Sequence, residues 1–347
     1  MILAGGVGAR FWPVSTPERP KQLLPLAGDR PLLAQAVARI RPLVPLERIR
    51  ILAGQALRAP ILEALPELTP ENLWLEPRAR GTAPVLAWAA TEIARQDPDA
   101  VMYSLHADHV IRPENDFRAL VARVGALSAR ERRLCTLGVV PTRPETGYGY
   151  ILEGEPLADE PDLQAFAAAR FVEKPDRATA GEYLRAGGYL WNTGIFVWPA
   201  RLFLEELRAH TPDIAPLLPL LERGQVAEFF ERAPTLSVDE GLLERSARVA
   251  VARARFDWDD VGAWDAVART RSADAAGNVG VGDAHLVDAR DCIAWADDGS
   301  IVLYGAEGLV VVRAHGITLV APRERVPDLK KLLEQLPQNL RQPGDHA

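Results

Sequence analysis

The chain has 347 residues, of which 48% are hydrophobic and 25% are charged, and its formal net charge is −7. This composition is typical of a globular protein with one large and one smaller domain, and an acidic chain with scattered basic residues argues against nucleic acid as a partner. No apolar run reaches the about 18 residues of a membrane-spanning helix, and the first residues predict a strand rather than a targeting segment. We therefore expect a cytoplasmic protein with no membrane partner, in which Cys135 and Cys292 are buried thiols without a disulfide bond.

Strands and helices alternate through the first 140 residues. The pattern predicts strands over residues 2–4, 49–53, 73–75, 101–105 and 134–140, and helices over residues 32–40, 57–65, 83–95 and 117–127. The first helix carries a one-sided apolar stripe, as a helix packed on a sheet does. This order predicts an α/β fold with a mostly parallel sheet covered on both faces.

The rest of the chain has two different textures. Residues 141–270 mix strands (149–152, 168–172, 194–198) with helices (177–186, 201–209, 226–232), which we interpret as an insertion that forms the second wall of a cleft. After residue 277, short apolar runs over 284–287, 292–295, 301–304, 309–312 and 317–320 are separated by glycine-containing turns and predict a small β module. We expect a catalytic domain over residues 1–270, a β module with a terminal helix over 277–336 (helix 326–336), and a disordered tail over 337–347.

A glycine-rich loop follows the first predicted strand. Gly5, Gly6 and Gly8 allow the backbone N–H groups to approach a phosphate chain, and Arg10 and Lys21 supply positive charge. The spacing does not match a P-loop, which needs Gly-Lys-Ser/Thr, or the dinucleotide fingerprint, whose third glycine opens a helix. The loop is therefore a candidate phosphate site of another kind, with a plain turn as the alternative.

Lysine is rare in this chain, since Lys21, Lys174, Lys330 and Lys331 are the four lysines among 40 Lys and Arg residues. A compact ammonium differs from a planar guanidinium, so a lysine retained against this bias is a candidate for chemistry. Lys21 and Lys174 lie in proline-flanked motifs and are the two candidates. We interpret Lys330 and Lys331 as part of a solvated helix face.

Acidic residues follow two further strands. Asp108 ends the segment Leu-His-Ala-Asp-His, and Asp260 lies in Asp-Trp-Asp-Asp-Val-Gly. One or two carboxylates together with substrate phosphate oxygens are enough to hold Mg²⁺. A helix cap or turn is the alternative for Asp108, and a transition-metal site with His106 and His109 lacks a further ligand.

Other polar motifs are candidates for contacts to a sugar or a base. Asn192 precedes Thr-Gly, and Glu173 and Lys174 follow a strand, where Lys174 would neutralise a second phosphate. A ligand could approach the backbone closely at Gly149, although a bend in an edge strand explains this glycine equally well. Glu76 and Thr82 flank the start of an alanine-rich helix, where a base could bind, although Thr82 would cap a helix in any protein.

In chain order, the motifs Leu-Ala-Gly-Gly-x-Gly-x-Arg, Pro-Lys-Gln, Thr-Ala-Pro, Val-Glu-Lys-Pro-Asp, Trp-Asn-Thr-Gly-Ile-Phe and Asp-Val-Gly-x-Trp resemble those of the mannose-1-phosphate guanylyltransferases (GDP-mannose pyrophosphorylases). This family belongs to the sugar-phosphate nucleotidylyltransferase superfamily. The resemblance implies a Rossmann-like nucleotidyltransferase domain and a C-terminal β-helical segment. It also implies that GTP and α-D-mannose 1-phosphate react, with Mg²⁺ as cofactor, to give GDP-mannose and pyrophosphate.

The resemblance also implies a role for each matching residue. The catalytic residues would be Arg10 and Lys21, and Asp108 and Asp260 would bind the metal. The implied nucleotide contacts are Leu3, Ala4, Gly5, Gly6, Gly8, Glu76, Thr82 and Asp108, and the implied sugar-phosphate contacts are Gly149, Glu173, Lys174 and Asn192.

Two alternatives remain open at the sequence level. Gly81 and Ala263 depart from the family's usual residues, so the enzyme could use another nucleotide, or glucose, fucose or heptose 1-phosphate. A regulatory subunit that binds nucleotide sugars without turnover is the rival from a different class, although such a subunit would need neither the metal carboxylates nor both lysines. The chain lacks the length of family members with an added isomerase domain, which predicts a monofunctional enzyme, and its β module is a candidate contact surface for a homodimer.

Overall fold

The computed structural model describes residues 1–6 and 8–341. The strands are β1 (Ile2–Leu3), β2 (Ile51–Gly54), β3 (Leu73–Glu76), β4 (Val101–His106), β5 (Val110–Arg112), β6 (Leu134–Val139), β7 (Tyr150–Glu160), β8 (Leu163–Val172), β9 (Tyr189–Pro199), β10 (Val249–Arg253), β11 (Asp257–Asp259), β12 (Val279–Val287), β13 (Ile293–Tyr304), β14 (Leu309–Ala314) and β15 (Ile317–Pro322). The helices are α1 (Leu32–Ile40), α2 (Arg58–Ala64), α3 (Thr82–Gln96), α4 (Glu114–Glu131), α5 (Arg177–Ala186), α6 (Ala200–His210), α7 (Leu218–Glu222), α8 (Val226–Arg232), α9 (Asp265–Thr270), α10 (Leu329–Gln335) and α11 (Gln338–Arg341).

A nine-stranded sheet in the order β3-β2-β1-β4-β9-β6-β10-β8-β7 organises the first 253 residues that the structure describes. Within it, β8 and β9 run in one direction and the other seven strands run in the opposite direction. The mostly parallel α/β sheet predicted from the alternating pattern is therefore confirmed.

Strands β7 to β10, within the predicted insertion over residues 141–270, extend this sheet. The role of this segment as the second wall of a cleft stays a prediction. β9 inserts between β4 and β6, and β10 pairs with β6 and β8. Strand β10 was missed because its alternating alanine and valine follow a run that reads equally well as helix. A small separate sheet joins β5 to β11 and brings Asp259 opposite Val110.

Helices cover both faces of the large sheet. On one face, α1 and α4 pack together through residues such as Val37, Ile40 and Val121. On the other face, α3 and α6 share a second core that contains Leu86 and Phe203. Burial on both faces explains why the central strands are almost continuously apolar.

The C-terminal module is a four-stranded sheet in the order β12-β13-β14-β15. Successive strands β12, β13 and β14 are parallel neighbours, as in a β-helix, and β15 pairs antiparallel with β14. The predicted β module is confirmed. Its second and third predicted strands are one long strand, β13, because Asp298 and Gly299 lie within the strand instead of ending it.

An aromatic core fastens this module to the segment that follows β1. The Phe11 and Trp264 rings lie 5.2 Å apart, and the Trp264 and Trp295 rings lie 5.4 Å apart. The Trp12 indole N–H donates to the carbonyl of Leu340, 2.9 Å away. Of the predicted disordered tail, residues 338–341 form the helix α11. Residues 342–347 lie outside the described residues.

Two composition-based expectations can be compared with the structure. Cys135 and Cys292 are buried and free. Among the described residues, no helix combines the length and the apolar character that crossing a bilayer requires.

Candidate active site

The predicted phosphate loop and the first metal carboxylate lie at the same edge of the large sheet. β1 is parallel to β2 and to β4, and β2 is parallel to β3. The carboxyl ends of these strands therefore meet, which places Gly5 and Gly6 after β1, Glu76 at the end of β3 and Asp108 after β4. Ligands of open α/β sheets bind at such an edge.

The glycine loop requires glycine at two of its positions. Gly6 has φ of 91° and Gly8 has φ of 71°, which are left-handed conformations that other residues adopt at a cost. A Cβ on Gly8 would lie 2.3 Å from the Cβ of Lys21, so a side chain there would displace the lysine. The Ser15 hydroxyl donates to the Gly8 carbonyl at 2.8 Å, and the Gln22 amide donates to the Ala4 carbonyl at 2.7 Å.

Lys21 connects the two residues predicted to bind the metal, through the carboxylate of Asp108 and the backbone of Asp260. Its Nζ lies 2.8 Å from Oδ2 of Asp108 and donates to the backbone carbonyl of Asp260 at 2.7 Å. The lysine is 8% exposed, so its ammonium is held in place by these partners. Residues 21, 108 and 260 thus converge from three distant parts of the chain.

The electrostatics of the pair favour an ionised Asp108. Burial is the largest single influence and would by itself raise the pKa of Asp108, but Lys21, with smaller contributions from His109 and His106, outweighs burial and holds this pKa well below its ordinary value. Burial raises the pKa of Asp260, and its Oδ1 accepts a 2.6 Å hydrogen bond from the Tyr148 hydroxyl. Gly262 leaves open space beside Oδ2 of Asp260, where a Cβ would approach to 2.9 Å.

Two histidines accompany Asp108. The His106 and His109 rings stack 4.6 Å apart, and possible ligand atoms of these histidines and Asp108 lie within 4.8 Å of one another. However, Nδ1 of His109 accepts from the Trp258 indole at 3.2 Å, and Lys21 already sits on Asp108. Burial lowers the pKa of both histidines, which keeps them neutral in this packed arrangement.

The glycine loop, Lys21, Asp108 and Asp260 line one open cleft of about 360 Å³. Arg10 is exposed at its rim, next to the glycine loop. Lys330, from α10 of the C-terminal module, lines the same cleft. Lys330 is exposed, as predicted for a solvated helix face, and the aromatic core in addition brings its helix to the cleft.

The candidate sugar contacts form a second cluster. Lys174 Nζ lies 2.7 Å from Oε1 of Glu173. A Cβ on Gly149 would lie 2.5 Å from Oε2 of Glu173 and 3.3 Å from Cβ of Asn192, so a side chain at this position would displace the Glu173 carboxylate. The backbone N–H of Asn192 donates to the Gly149 carbonyl at 2.8 Å.

Asn192 is fixed by a network of buried hydrogen bonds. Its Oδ1 accepts from the Thr136 hydroxyl at 2.8 Å, and its Nδ2 donates to Oδ1 of Asp239 at 2.9 Å. Asp239 begins a single π-helical turn, Asp239–Leu243. Burial and the neighbouring Glu173 raise the pKa of Asp239 to about 7.

Thr82 acts differently from the expected helix cap. Helix α3 begins at Thr82 after Gly81, and no side chain caps it. The Thr82 hydroxyl instead accepts from the backbone N–H of Val238 at 2.8 Å, directly before Asp239. Gly81 has φ of 81° and a Cβ there would lie 2.5 Å from the Leu236 carbonyl, which explains glycine at this position. Burial raises the pKa of nearby Glu76 to about 7.

Tyr148 links two groups of residues, named here for the ligands that the sequence predicts. The phosphate cluster comprises Gly5, Gly6, Gly8, Lys21, Asp108 and Asp260, and the sugar cluster comprises Gly149, Glu173, Lys174 and Asn192. Tyr148 donates to Asp260, and it precedes Gly149. Its ring lies 5.2 Å from Trp191 and 5.0 Å from Trp258 in edge-on contacts. Packing of this kind fixes the distance between the phosphate cluster and the sugar cluster.

Comparison with known proteins identifies the family. The nucleotidyl transferase family model matches residues 1–277. The chain belongs to the nucleotidyl transferase family. A second model, the MannoseP isomerase/GMP-like beta-helix domain, matches residues 282–336 of this nucleotidyl transferase, in agreement with the β module.

Several curated relatives of this nucleotidyl transferase are mannose-1-phosphate guanylyltransferases. The chain is 38% identical to mannose-1-phosphate guanylyltransferase of Escherichia coli K12, over 97% of this chain and 73% of that protein. It is 34% identical to the alginate biosynthesis protein AlgA of Pseudomonas aeruginosa, over 97% of this chain and 71% of that protein. A crystal structure described as mannose-1-phosphate geranyltransferase from Thermus thermophilus is 34% identical with a TM-score of 0.88, covering 96% of this chain and 97% of that one. The predicted resemblance to the mannose-1-phosphate guanylyltransferases is confirmed.

Three groups of this nucleotidyl transferase site were missed from the sequence. Asp239 carries no local signal, because it contacts Asn192 through the fold and lies in an irregular turn. Tyr148 lies between Gly147 and Gly149, and this position between two glycines was the available signal. The rarity of lysine was the signal for Lys330.

Proposed function

We propose that this chain transfers GMP from GTP to α-D-mannose 1-phosphate and releases GDP-mannose and pyrophosphate. The observation that carries the proposal is the two-part site, in which Lys21 binds the Asp108 carboxylate and the backbone carbonyl of Asp260, and Tyr148 connects the Asp260 carboxylate to the Asn192 cluster. The names of the curated relatives support the same pair of substrates. Residues 1–270 would form the catalytic domain, and residues 277–336 the β module.

The nucleotide would bind along the carboxyl ends of β1, β3 and β4. Leu3 ends β1 and Ala4 follows it into the loop, where Gly5 and Gly6 offer an uncovered backbone to the phosphates and Gly8 leaves the space that Lys21 occupies. Arg10 would neutralise the phosphate chain from the rim. The base would bind near Glu76 and Thr82, where the ionised Glu76 carboxylate would accept hydrogen bonds from the N–H groups of guanine.

A divalent cation fits the carboxylates of this site. Asp108 is held ionised by Lys21, Asp260 keeps Oδ2 beside the space that Gly262 leaves, and both groups offer oxygen ligands, which suit Mg²⁺. Asp108 and Asp260 would hold Mg²⁺, with Asp108 also close to the nucleotide. The ion supplies neutralisation of the phosphate oxygens.

The sugar phosphate would occupy the second cluster. Asn192, oriented by Thr136 and Asp239, and Glu173 present hydrogen-bonding groups to sugar hydroxyls. Gly149 allows the ligand to approach the backbone, and Lys174 would meet the phosphate by leaving Glu173. A polar site of this kind discriminates hydroxyl patterns, because an unmatched buried group is costly.

The chemistry is an in-line displacement at the α-phosphorus. A phosphate oxygen of the sugar 1-phosphate forms the new P–O bond, and the bond to pyrophosphate breaks, so no protein nucleophile is needed. In this proposal Lys21 would stabilise the charge that builds at the α-phosphate, and Arg10 and Lys174 would hold the two polyanions in position. Positioning and charge neutralisation supply the catalysis.

The decisive experiment measures pyrophosphate release with Mg²⁺ for GTP, ATP, UTP, CTP and dTTP against mannose, glucose and fucose 1-phosphates. We expect the fastest turnover with GTP and mannose 1-phosphate. A preference for another pair would keep the mechanism and overturn the specificity. Binding of GDP-mannose without turnover of any pair would favour the regulatory alternative.

A further inference from the structure

The C-terminal module reaches the phosphate cleft through α10. Lys330, the second residue of that helix, lines the cleft together with Arg10 and Lys21, more than 300 residues away in the sequence. No family motif and no sequence signal near the glycine loop assigns it a role. Its position raises the question of what a third cation does there.

The position of Lys330 is set by packing. Val326 and Leu329 are 0% and 2% exposed in the aromatic core that also buries Phe11 and Trp12. Helix α10 thus lies directly against the helical turn Ala9–Phe11, which carries Arg10. The bond from Trp12 to Leu340 fastens the same segment from the other side.

Neighbouring lysines of α10 differ in their partners. Lys331 Nζ lies 2.8 Å from Oδ1 of Asp328, and its side chain is 76% exposed. Among residues 1–6 and 8–341, salt bridges engage Lys21, Lys174 and Lys331, but none engages Lys330. The ammonium of Lys330 is therefore available to an anion in the cleft.

Lys330 also decides the formal net charge of the side chains that line the cleft. The charged lining groups are the cations Arg10, Lys21 and Lys330 and the carboxylates Asp108 and Asp260. Without Lys330 the formal charges would cancel, whereas with it the cleft carries a positive excess. A nucleoside triphosphate is a polyanion, and a positive cleft raises both its local concentration and its affinity.

We propose that Lys330 binds the terminal phosphates of the nucleoside triphosphate, which leave as pyrophosphate, so that the C-terminal module forms part of the substrate site. This inference rests on the proposed function. Lys330 enters from the side of Arg10 and the glycine loop, whereas the sugar cluster lies beyond Asp260 and Tyr148. Lys330 therefore acts on the triphosphate rather than on the sugar phosphate.

The test compares Lys330→Gln, Lys330→Arg and Lys331→Gln in the full chain. Calorimetry with Mg²⁺ and inorganic pyrophosphate gives a binding constant that does not depend on turnover, and GMP, which lacks the terminal phosphates, is the control ligand. We expect Lys330→Gln to weaken binding of pyrophosphate about tenfold, the scale of one charge-assisted hydrogen bond, and to leave GMP binding unchanged. Lys331→Gln should match the original protein, and Lys330→Arg should retain most of the affinity.

Steady-state kinetics supply the second measurement. The KM for GTP should rise about tenfold in Lys330→Gln, with the KM for mannose 1-phosphate unchanged. Equal behaviour of Lys330→Gln and Lys331→Gln, or a loss confined to the sugar phosphate, would overturn the inference while leaving the proposed function intact. If the original protein turned over no substrate pair, weaker pyrophosphate binding in Lys330→Gln alone would still support the inference.

Discussion

The phosphate cluster and the sugar cluster of the site are built in different ways. The phosphate cluster relies on exposed backbone at Gly5 and Gly6 and on charges, with Lys21 and Asp108 as its central pair. The sugar cluster relies on side chains that orient one another, from Thr136 through Asn192 to Asp239. Phosphate is recognised by backbone geometry and charge, whereas a sugar is recognised by a fixed set of hydrogen bonds.

This difference predicts separable phenotypes. Changes in the phosphate cluster should act on kcat or on the nucleotide, and changes in the sugar cluster should act on the KM of the sugar phosphate. Tyr148, which contacts Asp260 and packs on Trp191, is the physical connection between them. The predictions below test how independent the two clusters are.

The largest effect is expected for Lys21→Met, which keeps the apolar stem and removes the ammonium. Lys21 contacts Asp108 and Asp260, so its loss removes charge stabilisation at the α-phosphate. We expect kcat to fall about 100-fold to 1,000-fold, as for loss of one preorganised donor. Steady-state kinetics measure the fall, with Lys331→Met as the control on an exposed lysine.

Folding of Lys21→Met must be followed in parallel. Thermal unfolding should show a moderate loss of stability, because Asp108 loses its ionic partner while the stem beside Gly8 is kept. A variant that folds normally and keeps its kcat would contradict the role of Lys21.

The next effect compares Gly8→Ala with Gly5→Ala. A Cβ at Gly8 would collide with Lys21 at 2.3 Å and sits at φ of 71°, whereas nothing lies within 4 Å of a Cβ at Gly5. We expect Gly8→Ala to cost about 1–3 kcal/mol of stability and to lower kcat by displacing Lys21. Chemical denaturation and kinetics should show both losses, and equal behaviour of the two variants would argue against this packing.

The sequence identifies the phosphate cluster better than the sugar cluster, for a physical reason. Glycines with left-handed φ and a cation after a strand leave a local signature, so Gly6, Gly8 and Lys21 could be predicted. The sheet was also predictable, because buried parallel strands and amphipathic helices have distinct periods. The order of the strands was not, since β9 inserts between β4 and β6 through contacts that no local pattern encodes.

Long-range contacts account for what the sequence did not predict. Asp239 meets Asn192 across 47 residues, and Lys330 reaches the cleft because an aromatic core holds its helix. Thr82 matched a common helix-capping pattern, yet its hydroxyl serves a distant backbone N–H. Local rules describe what a residue can do, and the fold decides which partner it meets.

Gly149→Ala tests the sugar cluster. The added Cβ would lie 2.5 Å from Oε2 of Glu173 and must push this carboxylate away, although the backbone at Gly149 is not left-handed. We expect the KM for mannose 1-phosphate to rise about tenfold, equivalent to about 1.4 kcal/mol. The KM for GTP should stay the same, and a comparable rise for GTP would show that the clusters are coupled through Tyr148.

A smaller effect is the pH dependence of GTP binding, which we expect to arise from Glu76 near the guanine. Burial raises the pKa of Glu76 to about 7, so the carboxylate is ionised above this pH and protonated below it. The ionised form accepts hydrogen bonds from guanine N–H groups, and the protonated form accepts them less well. GTP affinity should therefore fall as the pH drops below about 7, by up to about tenfold per pH unit.

Glu76→Gln separates this titration from others. The amide does not ionise, so the pH dependence due to residue 76 should disappear, and GTP should bind more weakly at pH 8 than to the original protein. ATP binding, measured as a control, should depend less on this residue. An unchanged pH profile in Glu76→Gln would remove Glu76 from base recognition.

Thr82→Val should give the smallest effect, because it removes one hydrogen bond without changing the shape of the side chain. The Val238 N–H loses its acceptor, which costs about 1 kcal/mol of stability and lowers Tm by about 1–2 °C. Since Val238 precedes Asp239, the loosened turn should raise the KM for mannose 1-phosphate about twofold and leave GTP unaffected. Thr82→Ser keeps the hydroxyl and should restore both values, whereas a larger loss for GTP than for the sugar phosphate would assign Thr82 to the nucleotide itself.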